Sequence, residues 1–392
     1  MKILFVSLAP LEANASAVLR NNALIKGLLL NNNEVDILTI PKIEAFTDNN
    51  EVLSLYDSTE IFYIGNNKLY NSLVEHRDNL AGRLRKSLLP TIRYLYHRLS
   101  VYDNTIQIAK SAELDILPKS YYDIIISSSD PKSSHYAVNR LIKQGIRYGK
   151  WIQYWGDPMA ADISNRSILP NSYIKRKETK LFSCADSIVY VSPLTLEEQQ
   201  REFKYFANKM HFVPIAYSSR KESKIDKAYS KTRLGYFGDY SSRKRDIRPL
   251  YEAIRKEKTG YELVIAGNSD LKLEPKSHIS IYPRITQKEV DERESKCDIL
   301  VCILNIKGAQ IPGKIYHYAA TDKPILIIMD GEKKEQMREY FKRFNRYVMC
   351  ENYEISILNA VNEIINMDRR FEPSPYFDPK NIAIQLLETV NN

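Results

Sequence analysis

The segment Gln310–Leu326, QIPGKIYHYAATDKPIL, has the makings of an anion site. Pro312-Gly313 suits a helix start, Ile, Tyr and Ala follow at three- and four-residue spacing, and Lys323-Pro324 ends the run. Gly308 and Gly313 loosen the loop ahead of it, where unpaired backbone N–H groups and the helix dipole would both favour a phosphate. An ordinary strand–helix unit carries the same pattern. A second cationic feature, Arg243-Lys244-Arg245, sits beside the turn that begins at Gly238 and concentrates fixed positive charge. Three polar loops each close an apolar run: Ser127-Ser128-Ser129-Asp130-Pro131, Trp155-Gly156-Asp157-Pro158 and Ser192-Pro193.

These groups need a frame, and the apolar pattern supplies one. Lys2–Ser7 is a continuous apolar run, followed by helical spacing over Leu19–Leu30 and a second run at Val35–Ile40, which reads as a βαβ opening. Strands follow at Ile124–Ile126, Trp151–Tyr154, Ser187–Val191 and His211–Pro214, with helical periodicity over His135–Lys143. Tyr217–Thr232, YSSRKESKIDKAYSKT, is polar, almost without aliphatic residues, and reads as a linker. The pattern then restarts. Strands are expected at Arg233–Gly238, Glu262–Ala266, Ile279–Tyr282, Ile299–Leu304 and Ile325–Met329, and helices at Ile247–Arg255 and Gln287–Cys297. Strands that alternate with helices and end in polar loops predict parallel sheets with their sites at the carboxyl edge. The expectation is an α/β protein of two Rossmann-like domains facing each other across a cleft. Residues 1–216 would form the first domain, 217–232 the linker and 233–375 the second domain. Residues 376–392 would carry a terminal helix, read at Asn381–Val390, that packs back on the first domain.

Size and composition agree with this division. A chain of 392 residues is too long for one comfortable core, and its 44% hydrophobic content with only 13 Gly and 17 Pro predicts a globular protein. No apolar run reaches the roughly 18 residues of a spanning helix, and MKILFVSLAP lacks a cleavable signal pattern, so a cytoplasmic location is expected. Cys184, Cys297, Cys302 and Cys350 fall at no metal-ligand spacing and read as reduced, mostly buried thiols. The net charge of +9 calls for an anionic partner, yet no nucleic-acid motif is present, so nucleic acid is not expected. The stretch His76–Arg98, HRDNLAGRLRKSLLPTIRYLYHR, interleaves basic with apolar residues, as an interfacial helix on an anionic membrane surface or a solvated helix face would.

Taken in order, MKILFVS, YYDIIISSSDPKSSH, KWIQYWGDP, ADSIVYVSP, LGYFGDYSSRKRDI, YELVIAGNS, CDILVCIL and PGKIYHYAATDKPIL resemble the family 4 glycosyltransferases of the two-Rossmann GT-B architecture. The resemblance covers nearly the whole chain. It implies transfer of a sugar from a nucleotide-diphosphate sugar on the C-terminal domain to a saccharide or lipid-linked acceptor on the N-terminal domain. By analogy the setting is bacterial cell-surface polysaccharide synthesis at the inner face of the membrane. The chain has no Asp-x-Asp motif, which fits a metal-independent reaction without cofactor, and the resemblance implies that the reaction is retaining. Asp157 and Arg245 carry the implied catalytic roles. The implied donor site comprises Gly238, Arg243, Lys244, Arg284, Pro312, Gly313, Lys314 and His317. Asn14, Ser16, Ser129, Asp130 and His135 fall on the acceptor side.

Two departures stand out. The family's Glu-x7-Glu pair falls on Ala309 and His317; a neutral imidazole keeps one donor and one acceptor, whereas Ala309 offers only backbone. Asn14-Ala15-Ser16 replaces the family's Gly-rich loop. A catalytically silent sugar-nucleotide or glycan-binding partner and a nucleotide-sugar epimerase of the same fold are the alternative readings. For the basic stretch, the prediction is that charge reversal within Arg83, Arg85, Lys86 and Arg93 weakens sedimentation with anionic vesicles at low salt; unchanged sedimentation returns it to a solvated face.

Overall fold

The computed structural model describes residues 1–41, 59–65, 94–96, 98–163, 167–220, 231–257, 259–367 and 371–391, with residues 54, 56, 57 and 165. The chain divides into two compact units, Met1–Val213 with Ala383–Asn392, and Pro214–Ile382. Most of the expected linker, residues 221–230, lies outside the described residues, as do 76–93 and 97 of the basic stretch. Among the described helices none is long and apolar enough to cross a membrane.

The first unit is a parallel sheet of strands β1 (Lys2–Val6), β2 (Glu34–Thr39), β3 (Ile61–Tyr63), β4 (Tyr122–Ser128), β5 (Tyr148–Trp155), β6 (Ser187–Tyr190) and β7 (Met210–Phe212). Their order is β3-β2-β1-β4-β5-β6-β7. Central strands read as unbroken apolar runs because helices cover both faces: Ile3, Leu4, Phe5 and Val6 are all fully buried. The helices are α1 (Ser16–Leu30), α2 (Ile106–Lys110), α3 (Ser133–Lys143), α4 (Asn171–Phe182) and α5 (Pro193–Glu202). Ser192-Pro193 proves to be a helix start, with Ser192 Oγ accepting from Thr195 N and proline at the first turn. In the terminal segment, Ser187 Oγ of β6 donates to Thr389 Oγ1 at 2.9 Å.

The second unit repeats the plan with β8 (Thr232–Phe237), β9 (Tyr261–Ala266), β10 (Ile279–Tyr282), β11 (Ile299–Ile303), β12 (Ile325–Met329) and β13 (Val348–Glu351), all parallel, in the order β10-β9-β8-β11-β12-β13. Helices α6 (Arg248–Lys256), α7 (Gln287–Ser295), α8 (Lys314–Tyr318), α9 (Lys334–Lys342) and α10 (Glu354–Asn366) join them, and α11 (Pro379–Glu388) closes the chain. The thiols of Cys297, Cys302 and Cys350 are buried and free; Cys184 is free and exposed.

The expected helix before Lys323-Pro324 is shorter than its periodicity suggests. α8 has five residues, after which Ala319, Ala320 and Thr321 donate to the carbonyls three residues back at 2.9–3.2 Å. The segment tightens into successive turns, and Thr321 Oγ1 bonds Tyr318 O at 2.8 Å to finish it. So short a helix has little macrodipole, and its N-terminus alone is a weak anion site.

Gly331 ends β12 at φ +81°, and a Cβ there would lie 2.4 Å from Asn305 O and 2.5 Å from Ile306 O. Gly331→Ala is therefore predicted to lower stability by about 1–3 kcal/mol, read as a lower urea midpoint at constant m-value. An unchanged midpoint would show that the loop after β11 yields.

Candidate functional site

A parallel sheet opens at the carboxyl ends of its strands where the strand order reverses. In the first unit that point lies between β1 and β4, and a cavity of about 560 Å³ occupies it. Ala9, Ala13 and Ala15 from the loop after β1 form an apolar wall; Asp103, Asp130, Lys132, Asp157 and Asp162 supply charge. Lys132 Nζ lies 2.9 Å from both Asp130 Oδ1 and Asp162 Oδ2. Burial works against its charge, but the two carboxylates prevail and hold the amine above its ordinary range. Asp103 is committed to the frame: its Oδ1 accepts from Thr105 Oγ1 and Ser133 Oγ, each at 2.6 Å, and its Oδ2 from Ser133 N at 3.1 Å, capping α3.

Asp157 differs from these acids in accepting no hydrogen bond among the described residues. Burial first, and then the charges of Asp130 and Asp162, push its carboxyl up to about 6, against the pull of Lys132 and Arg20. A carboxyl poised near neutrality can give or take a proton at working pH. Arg20 of α1, 5% exposed, donates through Nη2 to Ser129 O and lies over the Tyr154 ring at 5.2 Å. A side chain at position 156 would place Cβ 2.1 Å from Arg20 Nη1, so Gly156 is what admits the guanidinium beneath this loop. Gly156 N donates to Ser129 Oγ at 3.1 Å, and fully buried Glu178 accepts from Met159 N at 2.7 Å and Ala160 N at 3.1 Å. Burial pushes Glu178 up to about 7 despite those two bonds. Arg20 and Glu178 thus hold the Asp157 loop from both sides. Sequence reasoning missed both, because Arg20 sits on the apolar helix α1 with nothing local to show what it reaches, and Glu178 sits among charged surface-type residues; the one visible signal was glycine immediately before Asp157.

In the second unit the order reverses between β8 and β11. Arg245 Nε donates to Asn305 Oδ1 at 2.8 Å, Asn305 Nδ2 donates to Gln310 O at 3.1 Å, and Ile306 N donates to Lys244 O at 2.9 Å. These bonds tie the loops after β8 and β11 across the reversal. Arg243 and Lys244 are exposed, and half-buried Arg245 lies beside the buried Tyr236 phenol. Arg284 Nη2 lies 3.3 Å from Asp239 Oδ2, and Arg245 Nη1 reaches Asp239 O at 3.5 Å. Gly238 enters the same edge: a Cβ at Gly267 would stand 2.1 Å from Gly238 O, so the two loops touch backbone to backbone. Asn305 is the organising residue that sequence reasoning missed, although a polar residue directly after the apolar run CDILVCIL was there to be read.

No family model and no curated protein matches the chain. Solved structures do. A glycosyltransferase from Rickettsia africae ESF-5 matches with TM-score 0.54 at 13% identity, covering 100% of this chain and 93% of that one. A UDP-forming α,α-trehalose-phosphate synthase from Burkholderia xenovorans gives 0.56 at 9% identity, covering 99% and 95%. A UDP-N-acetylglucosamine 2-epimerase gives 0.52 at 10%, covering 99% and 94%. The fold is GT-B. Identities this low establish the architecture alone.

Within this GT-B chain the expected site residues separate into groups. Gly238, Arg243, Lys244, Arg245 and Arg284 meet at the carboxyl edge of the second sheet, and Asp130 and Asp157 line the cavity of the first. Pro312 and Gly313 precede α8, with His317 half-buried one turn in. Ser129 is fully buried and acts on its own loops, while Asn14 and Ser16 flank the cavity between alanines that line it. Two expectations are corrected. His135 is fully buried, with Nδ1 2.7 Å from Ser127 Oγ and its ring 4.2 Å from Trp155; burial, then Lys132 and Arg20, keep it neutral, and it belongs to the core rather than the acceptor side. Lys314 Nζ lies 2.8 Å from Oε1 of buried Glu294, so its charge is shared with an internal carboxylate rather than standing free at the start of α8.

The raised carboxyl has a pH signature. Because its folded-state value of about 6 lies above the ordinary 3.8, Asp157 favours folding at low pH and costs stability as pH rises through 6. Asp157→Asn is predicted to match wild type near pH 3, below the ordinary carboxyl value, and to exceed it at pH 8 by about 1–2 kcal/mol, discounted for its partial exposure. Parallel stability–pH curves by urea unfolding would show that the carboxyl is not strained.

Proposed function

We propose that the protein transfers a sugar from a nucleotide-diphosphate sugar to a saccharide or lipid-linked acceptor. The observation that carries this reading is the Arg243–Arg245 turn, tied by Asn305 across the strand-order reversal of the second sheet. When the bond between the sugar's anomeric carbon and the diphosphate breaks, the electron pair leaves with the phosphate, and fixed guanidinium groups stabilise that charge without reorganising. The acceptor oxygen forms the new bond to the anomeric carbon, and its proton passes to the departing phosphate. Asp157, ionised at neutral pH but only just, accepts a hydrogen bond from the acceptor hydroxyl and orients it. Arg245 acts as the principal cation because Asn305 Oδ1 fixes its guanidinium through Nε at 2.8 Å.

The resemblance supports the finer parts of the proposal: a metal-independent, retaining reaction in bacterial surface-polysaccharide synthesis, at the inner membrane face. One observation favours a second reading, a silent binding partner: Ala309 is only 3% exposed where the family places an acid, and it gives a nucleotide sugar no side-chain contact.

The test is thermal unfolding against UDP, GDP, ADP, CMP and their common sugar conjugates, with and without magnesium, followed by nucleotide-release assays on any donor found. One nucleoside diphosphate is expected to stabilise the wild type by about 2.7 kcal/mol at 100 times its dissociation constant, without metal. Arg245→Ala is expected to lower turnover roughly 10- to 150-fold while the fold is retained. Donor binding with no turnover on any acceptor selects the silent partner, conversion of the donor sugar without an acceptor selects an epimerase, and absence of any nucleotide effect sinks the transferase and the epimerase and leaves a glycan-binding partner.

A further inference from the structure

Along the outer edge of the second sheet, β9 and β10 send Leu263, Ile265 and Ile279 into the core and leave Glu262, Ser280 and Tyr282 on the opposite face. A cavity of about 350 Å³ lies on that face, and the last turn of α7 with its C-cap brings Arg293 and Lys296 to it. The Arg293 guanidinium lies over the Tyr282 ring, 3.9 Å from its centroid, and its Nε is sealed from water without a hydrogen-bond partner. The acid one helical turn back, Glu289, feels the charge of Arg293 but makes no hydrogen bond to it. Glu289 Oε2 is taken up by the capping box at the start of α7, accepting from Thr286 N at 3.0 Å and Thr286 Oγ1 at 2.8 Å. Lys296 likewise has no ion pair among the described residues.

The other charges at this cavity are accounted for. Glu262, the one carboxylate lining it, accepts from Arg233 Nε at 2.9 Å and Nη2 at 2.7 Å, and His278 Nε2 bonds Ile254 O at 3.0 Å. What remains is two cations and the hydroxyls of Ser280 and Tyr282, none bonded to an acceptor among the described residues. A set of donors without acceptors fits a compact polyanion, and a buried Nε without a partner is costly unless a ligand meets it.

We propose that this cavity is a second anion site, distinct from the Arg243–Arg245 turn, that takes a phosphate-type group on Arg293 and Lys296 with the Ser280 and Tyr282 hydroxyls as further donors. It does not rest on the sugar-transfer reading. The phosphate could be a free ion or a lipid headgroup, and the test has an arm for each. Inorganic phosphate is titrated into the full chain at constant ionic strength with chloride as control, followed by thermal unfolding and by NMR of the arginine side-chain Nε–H groups. In parallel the protein is sedimented with phosphatidylglycerol vesicles. Saturable binding is expected, weakened about tenfold or more by Arg293→Gln and by the exposed Lys296→Glu, and unaffected by Arg245→Ala. Dependence on these residues with free phosphate alone assigns a soluble ligand, and with vesicles as well assigns a headgroup; both support the site. Binding that is absent from both arms, indifferent to Arg293→Gln and Lys296→Glu, or abolished by Arg245→Ala overturns it.

Discussion

Burial of both faces of each parallel sheet governs the chemistry of this protein. Strands β1, β4, β11 and β12 have hardly a position open to water, so a charged or catalytic side chain finds room only where the strands stop. At the carboxyl ends the loops after β1, β4 and β5 in the first unit, and after β8 and β11 in the second, supply those positions. Each reversal of strand order then spreads two loops apart, and a polar side chain is needed to bridge them. Arg20 does this in the first unit by bonding Ser129 O beneath Gly156, and Asn305 does it in the second by holding Arg245.

Within the first unit these charges cannot be treated one at a time. Lys132 is kept charged in a buried place only because Asp130 and Asp162 share it, and those same carboxylates raise Asp157. Removing Lys132 would leave Asp130, Asp157 and Asp162 without the ammonium they face, so its loss would raise Asp157 further and weaken the loop at once. The near-neutral carboxyl is therefore a property of the cluster, with Arg20 setting the counterweight from below.

Legibility followed burial. Ile279–Tyr282 and Ile325–Met329 were read to the residue, because an apolar strand between polar loops announces both ends. Strand β3 has three residues, too few to show any period, and α9, with the sequence KEQMREYFK, buries only Met337, Tyr340 and Phe341 among charged neighbours, so neither was expected. The site was half legible for a related reason. Residue type located Asp157 and Arg245 at strand ends, but what a side chain touches depends on elements distant in sequence: Lys314 meets Glu294 twenty positions away and His135 meets Trp155. Periodicity carries no information about such pairs.

The fate of Lys314 bears on how charge is divided in the second unit. Glu294 is nearly buried and would be a costly lone carboxylate, so the Lys314 ammonium beside it has a structural task. With Ala309 buried and apolar, the loop leading into α8 offers a ligand little beyond backbone groups and the ring of His317. At the strand-order reversal of this unit the positive charge then sits on the β8 loop, where Arg243 and Lys244 reach solvent and Arg245 is braced by Asn305. The geometry of this basic turn therefore depends on the Asn305 brace.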